Sequence, residues 1–407
     1  MARIELRNIY KMFGPDPKGA IEALRSGAPR NEVQEKTGTL AAVIDATFTV
    51  EPGEVFVVMG LSGSGKSTLV RTINRLHEPS SGQVLIDGED VTALDTKELR
   101  RLRAEKVSMV FQHFALFPHR TVLENAAWGL EASGMERAKR SERARRALAV
   151  VGLDGWEDKY PQQLSGGMQQ RVGLARALAT DADILLMDEA FSALDPLIRR
   201  EMQDQLLELQ SELGNTVVFI THDLNEAMRI GDRIAMMKDG SIVQIGTAEE
   251  ILQEPANDYV ASFVQDVDRS RVLTASSVME DPLAIVGPNE GPRLAIEAMR
   301  KSQVSAVFVI GPHRRMRGVL RDTDAVEASK RGDRSVEALL TQDFERVKPD
   351  TPLVELFAPA ASSPLPLAVV DDEGRLVGVI PRVTLLNALG EDHSFEGETQ
   401  EGSMSDA

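Results

Sequence analysis

Short apolar runs separated by amphipathic and polar stretches organise the first 270 residues of this 407-residue chain. Runs of four or five consecutive apolar residues are typical of parallel strands that are buried on both faces. The strands predicted from the apolar pattern are 1–13, 42–50, 55–59, 106–111, 184–187 and 217–220. Because helical stretches lie between them, the pattern predicts an α/β fold with a mostly parallel sheet at its core.

Two stretches depart from this alternation of strands and helices. Between about residues 14 and 40 the composition changes to glycine, proline and charged residues around a short helical pattern, which predicts an insertion before the next strand. From about residue 112 to residue 175 the sequence is helical and strongly charged in its middle part. This second stretch predicts a helical subdomain inserted into the core.

A second region, 271–390, contains an internal repeat with a spacing of 60 residues and no gaps. In this alignment Gly318 falls on Gly378, and Met279 falls on Leu339. Each copy is predicted as helix, strand, hairpin turn, strand and helix. The two copies are predicted to span about 274–332 and 334–390. Since one copy is too small to bury its own faces, we expect it to pack against its twin.

Composition narrows the classes of partner. The net charge of −17 and the pI of about 5.0 argue against a nucleic-acid partner, which needs concentrated positive charge. The chain has no cysteine, which excludes disulfides, thiolate metal sites and cysteine nucleophiles.

The chain has no candidate membrane span, because no apolar run approaches the roughly 18–20 residues that a spanning helix needs. If the protein works at a membrane, a partner must hold it there. The tail, 391–407, holds six acidic residues and no Lys or Arg, a composition that favours disorder.

A glycine-rich loop, GLSGSGKST, follows the strand at 55–59 and opens a helix. Its glycines free the backbone N–H groups to surround a triphosphate, Lys66 supplies positive charge to the phosphates, and Ser67 supplies a hydroxyl for Mg²⁺. The predicted phosphate-binding residues are Gly60, Ser62, Gly63, Ser64, Gly65, Lys66, Ser67 and Thr68. This loop alone predicts only that the chain binds a nucleoside triphosphate.

A second serine-and-glycine turn, LSGGMQQR at 164–171, also leads into a helix N-terminus. Such a start presents N–H groups and the positive end of the helix dipole to an anion. The residues concerned are Ser165, Gly166 and Gly167. Together, the two motifs resemble those of the ATP-binding cassette (ABC) family over about residues 1–270.

The ABC resemblance implies a P-loop NTPase cassette with antiparallel strands and a helical subdomain added to its parallel core. It also implies that the second motif completes the ATP site of a neighbouring subunit. We therefore expect a head-to-tail homodimer that binds ATP and Mg²⁺ and is weakly active as a monomer.

The strand 184–187 leads into two carboxylates, Asp188 and Glu189. Taken alone, an acidic pair after a strand is more often a helix cap and a first-turn acid. Its place between LSGGMQQR and FSALDPL favours a catalytic interpretation, in which Asp188 acts on Mg²⁺ and Glu189 is the general base for the attacking water.

Three further residues are assigned by the resemblance. It implies that Gln112 contacts the metal and the nucleophilic water, and that His222 contacts the γ-phosphate. Asp195 matches the loop that links the two ATP sites, although a plain helix cap is the alternative. Phe13 occupies the position of the aromatic that stacks on adenine. Because an insertion follows it, Tyr10 is a competing choice.

The motifs and the sequence that flanks them are similar to those of the ATP-binding subunits of glycine betaine/L-proline (quaternary amine) osmoprotectant importers. This resemblance implies an integral-membrane permease as partner and a substrate-binding protein that acts indirectly through the permease. It also implies a peripheral location on the cytoplasmic face of the inner (plasma) membrane. Choline or carnitine as cargo remains open, and a soluble cassette ATPase outside transport is the alternative class.

The repeat resembles a tandem pair of cystathionine-β-synthase (CBS) domains of α+β class, which implies a regulatory role. An unrelated duplicated dimerisation module is the alternative. In the family a hydroxyl residue and an Asp three positions later hold ribose. The first copy has Arg321 and Asp324 there, and the second has Pro381 and Thr384, so at most one nucleotide per chain is expected.

Two basic clusters in the repeat support another hypothesis. These clusters are Arg314, Arg315 and Arg317, and Lys330, Arg331 and Arg334. They could form a salt-sensitive contact with anionic lipid or with the acidic tail. The alternative is that they are ordinary solvated surfaces.

Overall fold

The computed structural model describes residues 3–111, 116–192, 194–265 and 269–390. It divides into two compact units, with the boundary after Val264. The predicted acidic tail, 391–407, lies outside the described residues. Among those that are described, no helix combines the length and the apolar character needed to cross a bilayer.

Strands and helices alternate through the first unit. Its strands are β1 (Ile4–Phe13), β2 (Leu40–Val50), β3 (Val55–Met59), β4 (Ser81–Ile86), β5 (Glu89–Asp90), β6 (Val107–Val110), β7 (Ile184–Asp188), β8 (Thr216–Thr221), β9 (Arg233–Lys238) and β10 (Ser241–Gly246). Its helices are α1 (Pro17–Arg25), α2 (Arg30–Thr37), α3 (Lys66–Ile73), α4 (Thr96–Glu105), α5 (Val122–Ala126), α6 (Trp128–Ala132), α7 (Arg137–Val150), α8 (Gly166–Leu178), α9 (Pro196–Leu213), α10 (Leu224–Ile230), α11 (Ala248–Gln253) and α12 (Asp258–Val264).

A six-stranded sheet of order β10-β9-β3-β8-β7-β6 forms the centre of this unit. Its strands run parallel from β9 to β6, and β10 joins antiparallel. Every residue of β3, β7 and β8 is buried, as the unbroken apolar runs predicted. The predicted parallel core is therefore confirmed.

An antiparallel sheet of order β2-β1-β4-β5 lies on the other side of α3. Leu69 and Ile73 of α3 are fully buried in one core cluster with Leu6 of the antiparallel sheet and Phe56 of the parallel sheet. The helix that begins at Lys66 is thus held between two sheets, and its N-terminus has a fixed position.

Helices α1 and α2 form the predicted insertion between β1 and β2. Ile21 of α1 and Val33 of α2 pack with Tyr10, Met12 and Ala41 in a small separate cluster. Helices α5 to α8 pack against one another as the helical subdomain. Both departures from the strand pattern are helical, as the sequence predicted.

In the second unit two similar three-stranded sheets follow one another. The strands are β11 (Ile285–Val286), β12 (Ala306–Ile310), β13 (Met316–Arg321), β14 (Arg346–Val347), β15 (Leu367–Val370) and β16 (Leu376–Ile380). The helices are α13 (Ala275–Val278), α14 (Pro292–Ser302), α15 (Asp322–Arg331), α16 (Leu353–Ser362) and α17 (Arg382–Gly390). The predicted order within each copy is confirmed, and each copy also has a two-residue parallel strand, β11 or β14, that the sequence did not reveal.

In each copy, the residues before the short strand pair with the sheet of the other copy. Glu280 exchanges both backbone hydrogen bonds with Val379 at 2.8 and 2.9 Å, and Thr341 does so with Val319 at 3.1 and 2.9 Å. Phe308 of the first copy shares a buried cluster with side chains of the second. The copies therefore pack against each other as expected.

The ungapped alignment is wrong upstream of β11 and β14. A Cβ placed on Gly378 would lie 2.7 Å from Met279 Sδ, and one on Gly318 would lie 3.0 Å from Leu340 Cβ. Met279 is therefore equivalent to Leu340, not to Leu339. The cause is one additional residue between the short strand and the next long strand in the first copy, where α14 has 11 residues and its counterpart α16 has 10.

Candidate active site

The phosphate loop lies between β3 and α3 and has no room for a side chain at two of its three glycines. Gly60, Gly63 and Gly65 have φ values of 154°, 81° and 104°. A Cβ on Gly60 would come within 2.1 Å of Met237 O, and one on Gly65 within 2.1 Å of Ala42 O. Glycine is needed at these two positions because the neighbouring strands touch the backbone directly.

Lys66 is folded onto this loop. Its Nζ donates to Gly60 O at 2.8 Å and to Leu61 O at 3.0 Å, and the residue is only 4% exposed. Burial lowers the pKa of Lys66, while Glu189 and Asp188 oppose that shift. Since phosphate oxygens are stronger acceptors than carbonyls, an incoming triphosphate can take over these bonds.

Asp188 is the fully buried end of β7 and is held by two donors. Ser67 donates its hydroxyl to Oδ1 at 2.7 Å, and Arg71 donates from Nη2 to Oδ2 at 2.9 Å. Two of the three side chains predicted for metal binding are therefore in direct contact. Arg71 was missed by the sequence analysis, although its spacing of four residues from Ser67 places both on one face of α3.

Glu189 and His222 lie beside each other at the carboxyl ends of β7 and β8. His222 Nδ1 is 3.8 Å from Glu189 Oε1, and the histidine side chain is 60% exposed while that of Glu189 is 17% exposed. Glu189 also has a φ of 48°, which is strained for a residue other than glycine and is often found at functional sites. Two neighbouring parallel strands thus bring together the predicted general base and the histidine that is predicted to contact the γ-phosphate.

The backbone carbonyl of Glu189 connects the end of β7 to α8, the signature helix, which begins in the LSGGMQQR motif. Glu189 O accepts from Ser192 Oγ at 3.0 Å and from Gln170 Nε2 at 3.5 Å. Gln170 is 3% exposed. The second glutamine of LSGGMQQR, Gln170, therefore has a structural role that no sequence signal indicated.

Ser165 is the N-cap of α8 and accepts a hydrogen bond from Met168 N at 3.3 Å. Ser165 and Gly166 are exposed. In the part of the chain that the structure describes, no hydrogen bond or ion pair joins residues 165–167 to the phosphate loop. The helix start is therefore open to an anion from outside the chain.

Asp195 caps α9 by accepting a hydrogen bond from Ile198 N at 3.1 Å. Phe13 is 40% exposed and makes an edge contact with His77, with ring centroids 5.5 Å apart. Tyr10 is buried beneath the insertion, which makes Phe13 the better candidate for the adenine contact. Gln112 lies outside the described residues.

Tyr259 on α12 is a further contact to the phosphate loop that no sequence signal indicated. Its hydroxyl accepts from Leu61 N at 3.4 Å and donates to Met237 O at 3.1 Å. The peptide group between Gly60 and Leu61 is therefore held by Tyr259 on its N–H side and by Lys66 on its carbonyl side.

A phosphate loop on a parallel sheet, with Ser67 on Asp188 and Glu189 beside His222, defines a P-loop nucleoside triphosphatase. The family model of the ABC transporter matches residues 43–192, and that of the CBS domain matches residues 275–331 and 336–391. The chain belongs to the ABC transporter family, as an ATP-binding subunit with tandem CBS domains. The CBS match removes the alternative of an unrelated dimerisation module.

Curated relatives are similar over nearly the full length. The glycine betaine transport ATP-binding protein OpuAA of Bacillus subtilis is 49% identical, and the alignment covers 97% of this chain and 94% of the relative. The glycine betaine/proline betaine transport system ATP-binding protein ProV of Escherichia coli is 47% identical over 95% and 97% of the two chains.

A solved dimeric structure of the ATP-binding cassette MJ0796, bound to ADP and Pi in a post-hydrolysis state, has a similar fold. Its TM-score is 0.53 at 34% identity, and the match covers 60% of this chain and 98% of that one. The predicted cassette fold is thereby confirmed.

Proposed function

We propose that this chain is the ATP-hydrolysing subunit of a membrane importer for glycine betaine, proline betaine or a related osmoprotectant. The observation that carries the proposal is the convergence of the phosphate loop, the Ser67–Asp188 pair and the Glu189–His222 pair at one edge of the sheet. Full-length similarity to glycine betaine transport subunits supports the cargo class.

The residues at this edge fit Mg²⁺ and ATP. A hydroxyl and a carboxylate in contact are oxygen ligands of the type that Mg²⁺ prefers. The buried Oγ of Ser64 in the loop has no hydrogen-bond partner in the structure, so the loop retains capacity to bind a phosphate. When bound, Mg²⁺ supplies positive charge that neutralises the phosphate oxygens.

The hydrolytic step uses the side chains of the chain as follows. Lys66 exchanges Gly60 O and Leu61 O for phosphate oxygens. Glu189 orients a water molecule and accepts its proton as the water attacks the γ-phosphorus, while the bond from the γ-phosphorus to the bridging oxygen breaks and ADP leaves. His222, exposed beside Glu189, donates a hydrogen bond to the γ-phosphate and steadies the water. The assignment of Gln112 to the metal and the water rests on the family resemblance alone.

The second half of the ATP site comes from a second copy in this proposal. The exposed N-terminus of α8 at Ser165 covers the γ-phosphate on the partner's loop, and Asp195 lies at the link between the two sites. Two ATP molecules are then enclosed by a head-to-tail homodimer, and one chain alone lacks half of each site.

Complementation between two inactive variants tests this arrangement. Lys66→Ala removes the phosphate-loop charge, and Ser165→Glu places a negative charge against the γ-phosphate, so each homodimer should lose hydrolysis. In a mixed dimer, the loop of the Ser165→Glu chain faces the signature helix of the Lys66→Ala chain, and one intact site is restored. We expect the mixture to hydrolyse ATP in a phosphate-release assay. A mixture as inactive as its components would contradict the head-to-tail site.

The proposed partners are an integral-membrane permease and, through it, a substrate-binding protein. Binding to the permease would hold the chain on the cytoplasmic face of the inner membrane. The CBS pair is proposed to regulate transport. Asp324 borders a pocket with Thr341, which supports a nucleotide at the first copy, and the exposed Arg315 and Arg317 support anionic lipid as the alternative ligand.

Reconstitution tests the transport function and the regulator together. The chain, its permease and its binding protein in vesicles should couple ATP hydrolysis to uptake of radiolabelled glycine betaine. Choline, carnitine and proline betaine serve as competing substrates. Vesicles with and without anionic lipid, and with and without added adenine nucleotide, distinguish the two CBS ligands. Hydrolysis without uptake of any of these compounds would contradict the proposed cargo class.

A further inference from the structure

Helices α9 and α10 begin directly after two loops of the active site. Asp195 caps α9, and Asp223, the residue after His222, caps α10 by accepting from Glu226 N at 3.2 Å. The two helices are joined by polar side-chain contacts that the hydrolytic step does not use. These contacts connect the Asp195 loop, which faces the other ATP site in the proposed dimer, with the His222 loop, which is proposed to contact the γ-phosphate.

Arg199 makes the contact nearest to the loops. Its Nη2 donates to Leu194 O at 3.2 Å, and its Nη1 lies 3.7 Å from Asp223 Oδ2. Leu194 immediately precedes Asp195, and Asp223 immediately follows His222. One guanidinium therefore bridges the backbone of one loop and a side chain of the other.

A buried carboxylate makes the second contact. Glu226 Oε1 accepts from Gln203 Nε2 of α9 at 2.9 Å, and its other oxygen accepts from the hydroxyl of Thr221. The Thr221 hydroxyl in turn accepts from Asp223 N at 3.0 Å, so the hydrogen bonds continue to the backbone N–H that follows His222. Gln203, Thr221 and Glu226 are 4%, 2% and 8% exposed.

Glu226 is costly to bury, because desolvation penalises its ionised form and raises its pKa. The nearby charges are Asp223, which raises the pKa further, and Arg199, which lowers it. A carboxylate with no chemical task in a protein interior is often explained by the geometry it imposes, since every donor around it is oriented.

We propose that Arg199 and Glu226 are positioning residues that hold the Asp195 loop and the His222 loop as one unit. This inference rests on the proposed head-to-tail dimer. Binding of ATP at one site, sensed by His222, then moves the Asp195 loop that faces the other site. The link thereby provides a physical basis for coupling between the two ATP sites.

Hydrogen–deuterium exchange of the full-length, nucleotide-free chain tests the link without any activity. Arg199→Met should accelerate amide exchange in the segment 221–224, which is remote from the substitution in sequence. Glu226→Gln should accelerate exchange in the segment 194–198. Arg229→Ala is the matched control, because its 2.5 Å contact with Asp204 joins the same two helices farther from the loops. Exchange that changes only next to each substitution would overturn the proposal.

Kinetics of the complex with its permease tests the consequence. Arg199→Met and Glu226→Gln should lower kcat about tenfold or more with little change in the KM for ATP, and should lower the Hill coefficient toward one. A purely structural role would reduce the amount of folded protein and leave these constants unchanged. Coupled exchange with unaltered kcat and Hill coefficient would overturn the role in catalysis. A wild-type chain that fails to hydrolyse ATP would instead count against the proposed function.

Discussion

The Glu189→Gln protein is expected to bind ATP and to hydrolyse it about 10²–10⁴-fold more slowly than the wild type. Glutamine keeps the size of the side chain and its place beside His222, 3.8 Å away in the wild type, but it cannot accept the proton of the attacking water. Because Lys66 and the loop backbone are unchanged, nucleotide affinity should be retained. Stopped-flow phosphate release and equilibrium nucleotide binding measure the two quantities separately.

Glu212→Gln is a suitable control for the loss of a negative charge. This glutamate is exposed on α9 and lies outside the active site, so its replacement should leave hydrolysis unchanged. Normal turnover by Glu189→Gln would show that another group accepts the proton. Loss of ATP binding together with hydrolysis would show that Glu189 contributes to the ground-state site instead.

Gly65→Ala is expected to destabilise the first unit by about 2–5 kcal/mol and to weaken nucleotide binding at least tenfold. The new Cβ would lie 2.1 Å from Ala42 O and 3.0 Å from Met237 Cε. Ala42 belongs to β2 and α3 is held between two sheets, so neither backbone can move away cheaply.

Gly63→Ala is the matched substitution in the same loop. Gly63 also has a positive φ, 81°, but a Cβ there would meet no atom within 4 Å. It should therefore show only the backbone strain of about 1–2 kcal/mol. Urea unfolding followed by the fluorescence of Trp128 and Trp156, which both lie in the first unit, measures this difference. Equal losses for the two variants would mean that the close approach to Ala42 is not what excludes a side chain.

Local pattern predicted six of the ten strands described in the first unit and missed β4, β5, β9 and β10. The unbroken apolar runs at 55–59 and 184–187 predicted strands buried on both faces, and the strands are found there. The short parallel strands β11 and β14 escaped prediction because two residues leave no periodicity to detect. The same limit explains why the additional residue between β11 and β12, and with it the equivalence of Met279 and Leu340, was not found.

The residues of the candidate active site likewise comprise some that the sequence predicted and some that it did not. The motif GLSGSGKST and the acidic pair after β7 predicted roles for Lys66, Ser67, Asp188 and Glu189, because a motif specifies residue types at fixed spacing. Arg71 was within reach, since it lies one helical turn from Ser67. Tyr259 was not, because its contact with Leu61 depends on how a distant helix packs against the loop.

The sequence by itself determined the class of protein and the duplication in the second unit, and it predicted the phosphate-binding residues and the acidic pair of the site. These are encoded in composition, spacing and period, which are properties of neighbouring positions. Only the tertiary structure decided which groups touch. It put Ser67 and Arg71 on Asp188, buried Tyr10 while leaving Phe13 exposed, and joined the Asp195 and His222 loops through Arg199 and Glu226. The reason is physical: contacts between residues far apart in the chain follow from the packing of whole sheets and helices, and a local pattern carries no information about that packing.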